Sequence, residues 1–252
     1  MVIDWPSTLR PFTRARADLI ESRELLRRAD TKFVMPEAAA ATIVSALATR
    51  YAVLAAGDTL VASYHTLYFD TTDVALFDAH RRGRRIRQKV RVRHYRDRRV
   101  TFLEVKTRAG AGETAKVRCP RAYGESLLTA DDLAFVGRHV HVGAPLVPQV
   151  WVDFSRVTLL GLDAHERVTV DFGLKLTGRQ RAARIPSLAI VEVKQPRLDR
   201  RTPAMAGLRT AGRREAWASK YCIGIALTRP DERTAEIAGD VRAFKEAAAW
   251  VS

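Results

Sequence analysis

Between Arg85 and Arg93 a basic residue stands at every second position, as Arg85, Arg87, Lys89, Arg91 and Arg93, with Ile86, Gln88, Val90, Val92 and His94 between them. This is strand periodicity: alternate side chains share one face, whereas a helix would scatter the same cations around its axis. Like charges along one face repel unless water or an anion lies against them. Taken alone, the row reads as the solvated face of a β-hairpin.

The same division recurs further along the chain. Glu104 and Lys106 alternate with Leu103 and Val105, and Lys116 and Arg118 alternate with Ala115 and Val117. Arg156 shares a face with Phe154, Arg167 shares one with Thr169 and Asp171, and Glu192 and Lys194 lie opposite Val191 and Val193. Each strand is apolar on one side and ionic on the other. Rolled up with the apolar side outward under helices, such strands enclose an ionic tunnel. The expected fold class is therefore α+β: an antiparallel β tunnel barrel with helices packed outside.

Burying unpaired charge costs roughly several kcal/mol per ion, so the tunnel needs water and a strongly anionic guest. A net charge of +15 over 252 residues points the same way, to nucleotide, phosphate polymer, nucleic acid or an anionic surface. Carboxylates set among the cations, Glu104 and Glu192, suit a hard divalent ion, Mg²⁺ or Mn²⁺, that shares its coordination with phosphate oxygens.

Taken in order, residues 18–28 are expected to form a short packing helix, residues 32–34 a strand entry, and the Ala-rich stretch after Pro36 a helix running toward Tyr51. Strands follow at 61–69, 84–95, 100–107 and 114–118, with a helical turn at 74–80 and a helix at 126–135. Pro145 and Pro148 mark a loop, and further strands fall at 149–160, 165–176 and 185–194. The basic, Pro- and Gly-bearing stretch 197–212 reads as a mobile loop. A short helix is expected at 213–220 and a terminal helix at 231–250. No linker or repeat interrupts residues 1–252, which reads as one domain with its core at about 30–228.

Cys119 and Cys222 have neither a disulfide framework nor zinc spacing, and Cys222 reads as a buried thiol. No apolar run approaches the ~18 residues of a membrane span, and the first residues lack a signal-peptide pattern, so a cytoplasmic protein without a membrane segment is expected. The stretch 110–116 lacks the phosphate-loop spacing and reads as a hairpin turn. His139 and His141 have no third ligand nearby and read as surface residues.

Lys32-Phe33, Tyr68-Phe69-Asp70-Thr71-x-Asp73, Lys89-x-Arg91-x-Arg93-x-Tyr95, Phe102-Leu103-Glu104-Val105-Lys106, Glu192-Val193-Lys194 and Ser219-Lys220-Tyr221 occur in this order. The set resembles the VTC domain, the polyphosphate polymerase domain of the vacuolar transporter chaperone complex, within the CYTH-like triphosphate tunnel metalloenzymes. The resemblance spans about Lys32 to Tyr221. It implies that ATP and Mn²⁺ or Mg²⁺ bind in the tunnel and that the γ-phosphoryl group extends an inorganic polyphosphate chain. It further implies catalytic roles for Arg91, Arg93, Lys106, Arg156 and Lys220, phosphate contacts from Lys32, Lys89, Lys116, Arg167 and Ser219, and metal binding by Glu192 with Glu104. Two positions depart from the eukaryotic polymerases: Phe154 stands where they have Tyr, and Trp217 where they have Lys.

Two other readings compete. Triphosphatases of the same superfamily carry Glu-x-Glu-x-Lys on the first strand, and here those positions hold Arg28, Asp30 and Lys32, which weakens metal-activated water attack. A binding module for polyphosphate or nucleic acid without turnover would use the Arg and Lys rows with Tyr64, Tyr68 and Tyr95. Carboxylates among the cations speak against it.

Overall fold

The computed structural model describes residues 2–24, 29–109, 113–216 and 218–229. In chain order the elements are α1 (Trp5–Leu9), β1 (Thr13–Arg14), α2 (Ala17–Ser22), β2 (Ala29–Pro36), α3 (Glu37–Ser45), β3 (Tyr51–Val53), β4 (Ala62–Asp70), α4 (Ala75–Arg81) and β5 (Arg87–Tyr95). There follow β6 (Val100–Ala109), β7 (Glu113–Arg121), α5 (Ala130–Gly137), β8 (Val147–Gly161), β9 (Arg167–Gly178), β10 (Ala182–Gln195), α6 (Pro203–Thr210) and α7 (Lys220–Thr228).

The strands form one ten-stranded sheet whose main path runs β2-β10-β9-β8-β4-β5-β6-β7, with β3 paired to β8 and β1 to β3. Every pair on the main path is antiparallel; only the short β1–β3 pair is parallel. The fold is thus α+β, an antiparallel sheet curled into a tunnel. Its register shifts at Tyr68/Phe69, at Asp153/Ser155 and at Ile185/Ala189. Such bulges sharpen local twist and bend, which a long sheet needs in order to curl. Gly173 sits at the second of them with φ 64°, a left-handed conformation that suits a residue without Cβ.

The period-two division decides which side faces out. Val157, Leu159, Val168, Val170, Val191 and Val193 pack under α1, α3 and α6, and Val90, Val92, Leu103 and Val105 pack beside Leu76 of α4 and Val136 of α5. The intervening ionic side chains face the inside.

One helix breaks the expected plan of helices outside only. Tyr221, Cys222, Ile223 and Ile225 of α7 pack against Val150, Val152 and Phe154 of β8, Leu174 and Leu176 of β9, and Ile190 of β10. These belong to the inner face, so α7 fills one end of the tunnel and forms a floor. The approach is close: a Cβ on Gly224 would lie 3.1 Å from Val150. Asp70 ties this helix to the wall, accepting from the Tyr221 hydroxyl and from the amides of Leu76 and Phe77 at 2.8 and 2.9 Å.

Several local expectations are corrected. The helix after Pro36 ends at Ser45, and residues 51–53 form a strand instead of its last turn. Pro148 lies within β8, not in a loop. Residues 203–210, expected as mobile loop, are helical, because Pro203 stands at a first helical position, where its missing N–H costs nothing. Residues 213–216 are not helical; Glu215 makes an isolated bridge to Phe33, and the helix starts only at Lys220. The helix expected at 231–250, the expected turn residues 110–112, Arg28 and Trp217 lie outside the described residues. Among the described residues no helix is long and apolar enough to cross a membrane.

Candidate functional site

The inner face and floor enclose a cavity of about 710 Å³. Of the residues expected at a site, Lys32, Lys89, Arg91, Arg93, Lys106, Lys116, Arg156, Arg167, Glu192, Ser219 and Lys220 all line it. They come from β2, β5, β6, β7, β8, β9, β10 and the start of α7, elements separated by up to about the whole length of the described chain. Arg85 precedes β5 and is exposed, so the working row on that strand shortens to Lys89, Arg91 and Arg93.

Glu104 departs from its expected place. It is 1 % exposed and does not border the cavity. Its Oε2 accepts from Arg91 Nε and Nη2 at 2.7 and 2.6 Å, and its Oε1 accepts from Lys116 Nζ at 2.7 Å and from the Tyr95 hydroxyl at 3.0 Å. Both oxygens are therefore committed to fixing two cations, which leaves no lone pair aimed at a metal.

The same device appears twice more. Asp171 holds Arg156 in a bidentate pair, Nε to Oδ1 at 2.5 Å and Nη2 to Oδ2 at 2.7 Å, and also pairs with Lys220. Glu192 pairs with Lys194 and lies 3.7 Å from Lys32 Nζ, which in turn donates to the Ala218 carbonyl at 2.9 Å. Each carboxylate orients two cations, and bidentate geometry fixes a guanidinium more tightly than a point charge would be. These cations hold Asp171, Glu104 and Glu192 well below the usual carboxylate range, outweighing the opposite push of burial.

Phe154 has a function as a ring. It stacks on Tyr64 with centroids 4.9 Å apart, and Arg93, Arg156 and Lys220 sit over its face at 5.6, 5.4 and 4.7 Å. Cation–π attraction positions these three groups, and it requires no hydroxyl.

Against this order stands one feature that the carboxylates relieve only at Lys116. Lys89 of β5 is directly opposite Lys106 of β6, and Lys106 is directly opposite Lys116 of β7. Like charges in direct register destabilise a sheet, so this cross-strand row is held by the fold in spite of its own repulsion. Burial, with Lys32 and Lys89 nearby, lowers the Lys106 pKa to about 7. Burial raises Tyr68, but Arg91, Arg93 and Lys89 outweigh it and bring that hydroxyl to about 7 as well. Burial and Lys89 lower His80 to about 3.

A pH dependence follows. Unfolded Lys and Tyr titrate near 10, so between about pH 7 and 10 the unfolded chain binds more protons than the folded one, and folding stability rises with pH. Buried neutral His80 has the same sign lower down: stability falls as pH drops from about 6.5 toward 3. Denaturant midpoints of the ligand-free protein should climb from neutral to mildly alkaline pH; a midpoint falling over that window would contradict the packed lysine row.

Metal binding can be tested on the donor set. Among the described residues no three His, Cys, Asp or Glu side chains gather into a metal site. Glu192 borders the cavity, as does Asp30 on the neighbouring strand, whose backbone registers with Lys194. One or two hard carboxylates fit an ion that takes its remaining ligands from phosphate and water, and do not fit a metal held by protein alone. His139 and His141 lie away from the cavity, as expected of surface residues. Cys222 is buried and Cys119 partly so, and both are free.

A family profile described as VTC domain matches residues 27–132. Residues 27–132 are similar to the VTC domain. The matched segment carries β2 to β7 and the first residues of α5, and so supplies Lys32, Lys89, Arg91, Arg93, Lys106 and Lys116. The opposite wall, β8 to β10, and the α7 floor lie beyond the matched residues, and it is the fold that sets them against the matched segment. No curated protein gives a significant sequence match. Among solved structures, a proposed adenylyl cyclase from Hippeastrum with a dominant triphosphatase activity is similar at a TM-score of 0.51 and 14% identity, covering 81% of this chain and 97% of that one. A protein from Pyrococcus horikoshii OT3 aligns at a TM-score of 0.41 and 11% identity, covering 73% and 90%. The Hippeastrum likeness supports the fold.

Sequence reading missed Asp171, Lys194 and Arg118 as members of the site, although each stood on an ionic face that was visible. Their neighbours Arg156, Glu192 and Lys116 were singled out instead. Tyr68, expected only as a stacking ring of the binding-module reading, also accepts through its hydroxyl from Arg91 Nη1 at 3.1 Å.

Proposed function

We propose that this chain transfers the γ-phosphoryl group of ATP to the end of an inorganic polyphosphate chain within the cationic cavity. The observation that carries the reading is the Lys89-Lys106-Lys116 row, three amines in direct register of which only Lys116 has a carboxylate partner, so that a polyanion in the cavity would relieve the other two. Phosphoryl transfer needs little covalent help from protein; it needs an in-line nucleophile and compensated charge. A terminal phosphate is already an anion, so no general base is needed. In this reading Arg91, Arg93, Lys106, Arg156 and Lys220 offset the charge of donor and acceptor, and Lys32, Lys89, Lys116, Arg167 and Ser219 hold the phosphates. Glu192 would hold Mg²⁺ or Mn²⁺, with Asp30 next to it, and the ion would neutralise charge on the phosphate oxygens. Glu104 is left out of the metal set and serves as counter-ion to Arg91 and Lys116.

A second reading, hydrolysis of a triphosphate, is favoured by one observation. The α7 floor closes an end of the tunnel through which a lengthening chain would otherwise pass. Incubation with ATP and Mn²⁺, followed by electrophoresis for polyphosphate and assay of free phosphate, tests the two together. Chains longer than the triphosphate are expected. Free phosphate as the sole product would replace the polymerase reading with hydrolysis, and binding of polyphosphate without ATP consumption would reduce the protein to a binding module.

A further inference from the structure

The cavity floor holds a pairing that charge compensation does not use. Ser219 Oγ lies 2.8 Å from Lys89 Nζ, both residues border the cavity, and the same oxygen caps α7 by accepting from the Cys222 amide at 3.3 Å. A hydroxyl within hydrogen-bond reach of an amine is the arrangement of a serine nucleophile and its base. Lys89 makes no ion pair with a carboxylate among the described residues, and burial, with Lys32 and Arg91 close by, holds its proton affinity down. An amine so placed holds its own proton less tightly, and at 2.8 Å it is positioned to take the hydroxyl proton once its own is released.

We propose that Ser219 is a self-phosphorylation site, which takes the γ-phosphoryl group of a nucleoside triphosphate bound in the cavity with Lys89 as the base. The inference rests on the phosphoryl-transfer reading above. In the step, Ser219 Oγ forms a bond to the γ-phosphorus while the bond from that phosphorus to the β,γ-bridging oxygen breaks. The serine proton passes to Lys89 Nζ, and the nucleoside diphosphate leaves with the electron pair of the broken bond. The product is a phosphoserine at the N-terminus of a nine-residue helix, beside the new Lys89 ammonium and Lys220. A phosphate dianion is well placed there, between cations and free helix amides. It also occupies the floor and cancels part of the field that attracts the next triphosphate. The modification thus switches the site off, at a rate set by competition between Ser219 and the ordinary acceptor.

The experiment incubates the full chain with ATP and Mg²⁺, follows nucleotide turnover, and maps tryptic peptides from the same samples. Peptide 215–220 carries Ser219 as its one hydroxyl residue. It should gain the mass of one phosphoryl group, with first-order kinetics independent of protein concentration and in step with declining turnover. Ser219→Ala should abolish the mark. Lys89→Met should slow it at least about tenfold, as expected for loss of a positioned base, while Ser219→Thr, which keeps a capping hydroxyl, should still accept phosphate. Turnover without modified peptide, phosphate on another residue alone, or an unslowed mark in Lys89→Met would each overturn the proposal and leave the phosphoryl-transfer reading standing. Absence of both turnover and mark would remove that reading and the proposal with it.

Discussion

Replacing Glu104 with alanine is expected to cost about 3–5 kcal/mol of folding stability, the range for removing one partner of a buried ion pair. The residue is 1 % exposed and shares its two oxygens among Arg91, Lys116 and Tyr95. Without it, two cations are left facing each other in an already cationic wall. Urea titration measures the loss. Inorganic tripolyphosphate should restore more stability to Glu104→Ala than to the natural protein, because the anion supplies the missing negative charge at Arg91 and Lys116. A shift below about 1 kcal/mol would place the pair in the class of hydrated surface bridges, and Glu104 would then have no structural claim. Glu104→Gln keeps the acceptor oxygen and the shape, so it separates loss of charge from loss of packing.

Lys106→Met is expected to do the reverse. In the proposed reaction it should lower kcat/KM on the order of 10²- to 10³-fold, as for loss of a preorganised charge stabiliser. Stability should stay level or rise. The reason is local: Lys106 has no hydrogen bond or ion pair to a carboxylate among the described residues, and the cations Lys32 and Lys89 act on it more strongly than the carboxylates Glu192 and Asp30. Removing its charge relieves the row, whereas methionine keeps most of the stem. Paired measurement of turnover and thermal midpoint separates this residue from Arg91, whose loss should damage both. An active Lys106→Met enzyme would break the link between the lysine row and chemistry; a strongly destabilised one would show that the ammonium is structural.

Much of the wall was legible because strand alternation is local. Lys89, Arg91 and Arg93 declare their shared face within five residues, and Glu192 with Lys194 does so within three. The direction of that face was also legible, since Val90 and Val92, or Val191 and Val193, must be covered by something apolar. What stayed hidden depends on pairing between distant strands. That Arg156 and Asp171 form a bidentate pair follows from β8 meeting β9 in one register, and a one-residue slip would remove it. Glu104 was misjudged for the same reason: a carboxylate among cations reads as a metal ligand until its neighbours are known to take both oxygens. The floor was missed because α7 is buried nearly all round, so its residues show no amphipathic period, and Gly224 weakens its helix propensity. Ser219 as a helix cap was the available signal. In 203–210, Pro203 marked the start of a helix and was read as the mark of a loop.

The order of strands also bears on how the protein reaches its folded state. β2 pairs with β10, Lys32 opposite Glu192, although some hundred and sixty residues separate them. During synthesis residues 27–132 therefore emerge with β2 unpaired, and their cationic strands remain without the opposite wall until β10 and α7 are made. Nonlocal pairing of this kind slows folding and prolongs exposure of unpaired strand edges. The nascent chain should accordingly be the form most prone to capture by cellular polyanions, and refolding with tripolyphosphate should proceed in higher yield than refolding without it.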